Sequence, residues 1–195
     1  MSNFHILPVS FYDRDAVDVA RALLGMHLVR VENGARISGV ITETEAYRGV
    51  EDLGCHAHSG KTKRNEVMFG PPGRAYVYFT YGMHWCLNFV TGAEGEPAAV
   101  LIRAMEPLEG LDLIAARRAG RKREIWCDGP AKLTQAFGVT GEQNGADICS
   151  SKSGLFVEEA EPVEKGTILV TPRIGLNNVP EPWRSMPWRF TTRGK

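Results

Sequence analysis

The chain has 195 residues, of which 43% are hydrophobic and 24% are charged, and its formal net charge is zero. This length suits one domain with a sizeable core, and the composition is ordinary for a water-soluble globular protein. No apolar run approaches the roughly 18 residues of a membrane span, and the short run that Pro8 interrupts does not resemble a secretion signal. We therefore expect a cytoplasmic protein.

The first third of the chain predicts one helix, two strands and a long loop. Apolar residues recur at helical spacing over residues 14–24, where Asp13 is placed to cap the helix. Strands are predicted over residues 27–31 and 36–47. Polar residues, glycines and prolines then mark residues 51–72 as a functional loop.

Three strands are predicted in the middle of the chain, over residues 74–80, 85–91 and 98–105. The turn between the first two is Tyr81-Gly82-Met83. Glycine permits a tight, exposed turn, which would hold a bulky side chain outward.

The last third predicts helices over residues 108–118 and 132–137, the second opened by Gly129-Pro130, and short strands over 155–157 and 168–170. The strands are thus grouped together, with helices at the flanks. This order favours an α+β fold with a mainly antiparallel sheet, in a single domain that covers residues 1–195.

Charge is uneven along this neutral chain. Residues 61–64 and 117–123 are basic, whereas residues 158–164 are acidic. The C-terminal tail adds the basic residues Arg184, Arg189, Arg193 and Lys195. Each cluster is compatible with a solvated surface, and together they leave room for one basic face.

The strand over residues 36–47 carries the first candidate for chemistry. Because side chains alternate between the faces of a strand, Glu43, Glu45 and Tyr47 should share one face. That face is either solvated or holds a general base beside a stacking surface, since partial burial raises the pKa of a carboxyl toward neutrality. Arg103 ends an apolar run, and it could orient a carboxylate, contact a phosphate or form a structural ion pair.

A second concentration of aromatic residues lies around the predicted turn. Tyr76 and Tyr78 should face together, either in a well-packed sheet or in a pocket that holds a flat ligand such as a base. Tyr81 and Met83, if exposed at the turn, could enter a base stack and occupy the gap left by a flipped nucleotide.

The run Cys55-His56-Ala57-His58 suggests a zinc site only weakly. A structural zinc needs four ligands, and no second compact pair completes the set. A neutral imidazole that stacks on a ligand or bonds to it is the favoured interpretation. The four scattered cysteines form no C-x-x-C pair and are expected to be reduced.

These residues resemble the alkyladenine (3-methyladenine) DNA glycosylase family over nearly the whole chain, from about Phe11 to Phe190. The matching motifs are long and ordered: Glu43-Thr44-Glu45-Ala46-Tyr47, His56, Arg64-Asn65, Met68-Phe69, the run from Tyr76 to Met83, Leu87-Asn88, the run from Arg103 to Gly110, and Gly129-Pro130-Ala131-Lys132-Leu133.

The resemblance implies a single domain with a curved antiparallel sheet, without metal or cofactor. It implies an enzyme of base-excision repair that flips an alkylated or deaminated purine out of double-stranded DNA and hydrolyses its N-glycosidic bond. 3-Methyladenine, 7-methylguanine, hypoxanthine and ethenoadenine are all compatible substrates. No obligate protein partner and no membrane are expected, and a monomer is the default.

The resemblance also assigns roles to individual residues. Glu45 would deprotonate the water, which Arg103 would help to position. The base pocket would be lined by Tyr47, His56, Tyr78, Asn88 and Ile174. Tyr81 would enter the minor groove, with Met83 in support.

Three alternatives remain open at this point. The first is an inert lesion-binding or DNA-binding protein on the same scaffold. The second is a metal-dependent hydrolase that uses Cys55, His56 and His58. The third is a glycosidase that uses Glu43 and Glu45 on sugars or free nucleosides.

Overall fold

A computed structural model describes residues 5–192, so Arg193 and Lys195 of the predicted basic tail lie outside the described residues. Within that range, eight strands form one antiparallel sheet in the order β3-β4-β5-β2-β1-β6, with β8 paired to both β2 and β7. The strands are β1 His27–Glu32, β2 Ala35–Tyr47, β3 Ala75–Thr80, β4 His84–Thr91, β5 Ala98–Glu109, β6 Leu155–Glu158, β7 Ile168–Thr171 and β8 Arg189–Thr192.

The helices are short and lie between strands or before them. They are α1 Val9–Tyr12, α2 Ala16–Ala22, α3 Leu111–Arg117 and α4 Pro130–Phe137. Single 3-10 turns add His56–Ser59, Glu66–Phe69, Arg123–Ile125, Gly141–Gln143, Ser151–Ser153 and Lys165–Thr167. The predicted α+β class with a mainly antiparallel sheet in one domain is confirmed. None of the helices within residues 5–192 has the length and apolar character needed to cross a bilayer.

Alternation along the strands gives the sheet two differently packed faces. On one face, α2 and α4 cover the main core, to which Phe89 of β4 and Ile102 of β5 belong. The neighbouring residues Asn88 and Leu101 point to the opposite face and line a cavity. The 3-10 turns of the loop after β2 pack on that second face, in a smaller apolar cluster with Tyr76.

Strand β2 changes faces part-way along. Ile41 belongs to the helix-side core, but the register against β5 then skips Thr42, which marks a β-bulge. Because an extra residue moves every later side chain to the other face, Thr44 now points to the helices and donates from Oγ1 to the carbonyl of Ala20, at 2.8 Å. Glu43, Glu45 and Tyr47 consequently lie on the second face of the sheet, where Tyr47 lines this cavity and Glu43 lines a different one.

A second shift in register places Arg103 as the extra residue on β5, since Glu43 pairs with Ala104 and Thr44 pairs with Ile102. Bulges commonly re-aim side chains next to functional sites. Arg103 therefore lies in the middle of a long strand, at a bulge, and not near a strand end as the predicted strand over residues 98–105 implied.

Several elements differ from those predicted. The cap of α2 is Asp15, which accepts from the Val17 N–H at 2.8 Å, whereas Asp13 follows the separate helix α1. Strand β5 continues pairing with β2 to Glu109, so α3 begins at Leu111 and not at residue 108. Strand β8 was not predicted, because four residues of mixed polarity carry too little periodicity to stand out.

All four cysteines are free, and three of them are buried. Burial raises the pKa of each thiol, to about 11 for Cys55 and Cys149 and to about 12 for Cys127. The pKa of Cys86 is also raised, chiefly by burial. The expectation of reduced thiols agrees with this arrangement.

Candidate active site

A cavity of about 260 Å³ opens on the face of the sheet opposite the helices. This volume lies just below the range of roughly 300–1,000 Å³ that small-ligand sites usually have. Its walls come from β2 to β5, from the loop after β2 and from residues 174–176. The side chains used below are Tyr47, His56, Tyr78, Asn88 and Arg103.

Glu45 lies behind this cavity and is fully buried. Its carboxylate accepts three hydrogen bonds from described residues. The backbone N–H of Ile174 donates to Oε1 at 2.7 Å. The Tyr47 hydroxyl donates to Oε2 at 2.9 Å, and Nη1 of Arg103 donates to the same oxygen at 3.2 Å. A buried charge without partners would cost several kcal/mol, and these three donors offset that cost.

Burial raises the pKa of Glu45 above that of an ordinary glutamate. The charge of Arg103, the Ile174 N–H and the Tyr47 hydroxyl act in the opposite direction, since each favours the ionised form. The result is a carboxylate that is ordered by its donors and yet more basic than an exposed one.

Glu43 has a different environment, although it is only two residues away. Its Oε1 accepts from Nε of Arg103 at 2.8 Å and from Nε of Arg189 at 2.6 Å. Glu43 and Arg189 line a second, larger cavity of about 770 Å³, together with Thr191. Glu43 is therefore a bridge between two arginines and does not face the cavity in front of Glu45.

The phenol of Tyr47 connects Glu45 to the cavity. Burial and the neighbouring Glu45 carboxylate raise its pKa well above the usual value, so the hydroxyl stays protonated and acts as a donor. The Arg173 guanidinium lies over the Tyr47 ring, 4.6 Å from its centroid.

Aromatic rings form the opposite wall. Tyr76 and Tyr78 face together, with ring centroids 5.4 Å apart. His56 accepts or donates one hydrogen bond between Nδ1 and the Tyr76 hydroxyl, 3.0 Å apart, and its ring meets Tyr78 edge to face at 4.6 Å. Arg64 lies 5.2 Å above the Tyr78 ring. A flat ligand between His56 and Tyr78 therefore requires one of these rings to turn.

Desolvation lowers the pKa of His56, and the positive charge of Arg64 lowers it further. The imidazole is therefore neutral near pH 7, as the favoured interpretation of this residue requires. The same cavity wall contains Asn88, whose Nδ2 donates to the Tyr76 carbonyl at 3.0 Å.

The turn between β3 and β4 projects from the rim of the cavity. Tyr81 and Gly82 both have positive φ, 52° and 67°, and the Met83 N–H donates to the Thr80 carbonyl at 3.2 Å. This is the arrangement of a type I′ turn. Tyr81 is 87% exposed and Met83 is 67% exposed. A tyrosine in the left-handed region is strained, and such strain is concentrated at functional sites.

The suggested metal ligands do not converge. Cys55 Sγ accepts from the Ala57 N–H, His56 bonds to Tyr76, and the exposed His58 bonds to Ser59. No group of three potential ligands among His, Cys, Asp and Glu is close enough to hold a metal ion within residues 5–192.

Comparison with known proteins decides the family. The family described as Methylpurine-DNA glycosylase (MPG) matches residues 10–195. A protein of Carboxydothermus hydrogenoformans is 51% identical, over 95% of this chain and 94% of its own length. One from Methanocella arvoryzae is 50% identical, over 95% and 91%, and one from Burkholderia lata is 44% identical, over 97% and 88%. All three are provisionally named 3-methyladenine DNA glycosylases.

The chain belongs to the methylpurine-DNA glycosylase family. Membership confirms the expected enzyme class, an N-glycosyl hydrolase that acts on DNA, and the expected place in DNA repair with damaged DNA as substrate. The family match also spans nearly the whole chain, in agreement with the single domain of the fold.

The residues to which the resemblance gave roles in this glycosylase lie together in space. Seven of them line the cavity: Tyr47, His56, Tyr78, Tyr81, Asn88, Arg103 and Ile174. Glu45 bonds to three of these seven, and Met83 lies on the turn beside Tyr81. Their individual roles stay predictions.

Sequence reasoning missed Asp52, Arg173 and Arg189 as parts of this glycosylase site. Asp52 and Arg173 form an ion pair whose side chains are both fully buried, and Arg189 bonds to Glu43. These residues belong to loops or to a four-residue strand, where no periodic pattern shows which side chains turn inward.

Proposed function

We propose that this glycosylase releases alkylated and deaminated purines from duplex DNA by attack of a water molecule that Glu45 deprotonates. The observation that carries the proposal is a buried carboxylate, fixed by three donors, at the edge of an aromatic cavity. Among the candidate substrates are 3-methyladenine, 7-methylguanine, hypoxanthine and ethenoadenine.

Glu45 suits the role of base better than Glu43. A carboxylate offers about four acceptor positions, and the described donors account for one on Oε1 and two on Oε2 of Glu45. Oε1 can therefore accept a hydrogen bond from water. Glu43 instead neutralises Arg103 and Arg189, both within 2.8 Å of its Oε1.

The hydrolysis requires the Glu45 carboxylate and one water molecule. As the bond between C1′ and the purine nitrogen breaks, the electron pair leaves with the purine and the sugar becomes an oxocarbenium-like cation. The Glu45 carboxylate stabilises this charge and takes a proton from water, whose oxygen bonds to C1′. A cationic alkylpurine leaves as a neutral base, and Glu45 then returns its proton to solvent. A neutral lesion such as hypoxanthine or ethenoadenine leaves as an anion, which takes up one proton in place of that release. In both cases the product is an abasic site.

We further propose that the flipped purine lies among Tyr47, His56 and Tyr78, with Asn88 at the wall and Ile174 at the mouth. Flipping costs a few kcal/mol and least at damaged or mispaired sites, so it supplies a first layer of selectivity. Tyr81, supported by Met83, fills the space that the nucleotide leaves, because an exposed ring on a rigid turn can stack between bases.

The test is base release from labelled duplexes that carry one hypoxanthine or one ethenoadenine, and from methylated DNA, with chelator present throughout. We expect the wild type to leave abasic sites in at least one of these substrates and to leave an undamaged duplex intact. An inert lesion-binding protein would bind damaged DNA without releasing any base. Equal rates on free nucleosides and duplex would contradict the DNA substrate.

A further inference from the structure

A buried ion pair lies directly behind the proposed catalytic group. Nη1 and Nη2 of Arg173 donate to the two carboxylate oxygens of Asp52 at 2.5 and 2.8 Å, and both side chains are fully buried. Arg173 also donates to the carbonyls of Ala46 and Trp183, at 3.1 and 3.2 Å. The pair thus joins strand β2, the loop after it and the segment before β8.

Two of the three donors on Glu45 lie next to this pair. Arg173 immediately precedes Ile174, whose N–H donates to Oε1 of Glu45. Its guanidinium also lies over the ring of Tyr47, whose hydroxyl donates to Oε2. The guanidinium itself donates no described hydrogen bond to Glu45.

Asp52 also bonds to the backbone of the loop after β2. Its carboxylate accepts from the backbone N–H of Gly54 at 2.9 Å and of Arg48 at 3.2 Å, which holds the loop against Arg173. Gly54 is itself required by the close approach, because a Cβ there would lie 2.9 Å from Nη2 of Arg173. A side chain at position 54 would therefore disturb the contact between the loop and the ion pair.

The energetics argue against a role in stability alone. Replacing a buried ion pair by apolar residues of similar volume is often neutral or stabilising, since desolvation of two charges costs as much as their attraction returns. We propose that Asp52 and Arg173 are positioning residues, which hold the Ile174 N–H and the Tyr47 hydroxyl on Glu45. This inference rests on the proposed role of Glu45 as the base.

The experiment removes both charges at once in the double variant Asp52→Leu/Arg173→Met, so that no lone charge stays buried. Single-turnover base release is measured across pH on the duplex that the wild type cleaves. In parallel, the Glu45 carboxyl is titrated by NMR in protein labelled with ¹³C-glutamate, its resonance assigned by its absence in Glu45→Gln. The matched control is Arg36→Met/Glu158→Leu, which removes another bidentate ion pair, with contacts of 3.0 and 2.7 Å between β2 and β6.

We expect the double variant to release base about 10- to 100-fold more slowly, since a misplacement near 1 Å in an active site costs on that order. Its Glu45 titration should move to higher pH, because lost donors disfavour the ionised form. The Arg36→Met/Glu158→Leu control should match the wild type in both the rate of base release and the Glu45 titration. A folded double variant with the wild-type rate and titration would overturn the inference.

Two further results are also decisive. If the double variant does not fold, the variant Arg173→Lys takes its place, because lysine keeps the charge but loses the bidentate fork. The rate of base release and the Glu45 titration are then measured on Arg173→Lys, with the same expected and contradicting results. If the wild type releases no base from any substrate, the proposed function fails. The Glu45 titration then decides the positioning role separately.

Discussion

The turn between β3 and β4 and the region behind the cavity hold their side chains in opposite ways. Tyr81 is 87% exposed and depends on a strained backbone alone, whereas Glu45 is fully buried and is fixed by three donors. Under the proposed function, the exposed turn would reach into DNA and the buried region would hold the reactive carboxylate in place. Substitutions should therefore separate DNA distortion from chemistry.

The largest effect on base release should come from Glu45→Gln. The matched control is Glu43→Gln. A general base contributes roughly 10²- to 10⁴-fold to a rate, and we expect Glu45→Gln to lose base release on that scale while still binding lesion duplex. Glu43→Gln should lose less, because the described hydrogen bonds of Glu43 are to Arg103 and Arg189. Single-turnover release and gel-shift binding check this, and equal losses in both variants would move the base to another residue.

A smaller effect is expected from substitution of the exposed Tyr81, which should weaken base flipping and increase stability. Tyr81→Asn removes the ring, and loss of stacking worth about 1–3 kcal/mol should weaken flipping of ethenoadenine about tenfold or more, as measured by its fluorescence. The same change suits the left-handed backbone, where Asn-Gly is favoured in type I′ turns. We therefore expect the free energy of unfolding to rise by about 1 kcal/mol.

The matched control for this turn is Met83→Asn. Met83 is also exposed, but positive φ is found at its neighbours and not at Met83 itself, so no strain is relieved there. Its free energy of unfolding should not rise. Thermal denaturation of both variants distinguishes relief of strain from a general gain on adding a polar residue.

The smallest expected effect is a shift in the pH dependence of base release. Only ionised Glu45 can accept a proton, so base release should rise with pH through the pKa of Glu45, which burial raises above the usual value of about 4.3. Tyr47→Phe removes a hydroxyl that favours the ionised form, and should move this acidic limb to still higher pH. Tyr76→Phe, which removes a hydroxyl bonded to His56 and not to Glu45, should leave the limb in place. A limb unmoved by Tyr47→Phe would contradict the assignment to Glu45.

Periodicity predicted most strands and the shared face of Glu43, Glu45 and Tyr47. It could not predict which face that would be, because simple alternation puts these residues on the side of Ile41, toward the helices. The bulge at Thr42 reverses this, and it depends on pairing with a distant strand. Nothing in the sequence around Thr42 indicates such a register shift.

The parts of the site contributed by loops were equally hidden. Arg173 lies 121 residues from Asp52, and their contact follows only from the path of the whole chain. The different environments of Glu43 and Glu45 have the same origin, since Arg189 reaches Glu43 from 146 residues away. Side-chain chemistry could nominate both carboxylates and the family resemblance favoured Glu45, but their different environments are visible only in the three-dimensional arrangement.

The state of the thiols has a consequence for the conditions under which a repair enzyme of this family operates. Alkylating agents that damage purines also attack cysteine, and they react with the thiolate and not with the thiol. Cys55, Cys86 and Cys127 are largely buried, although Cys55 and Cys86 also line the cavity, and the raised pKa of all four thiols keeps the thiolate scarce at neutral pH. We therefore expect these thiols to react slowly with the reagents that create alkylated purines.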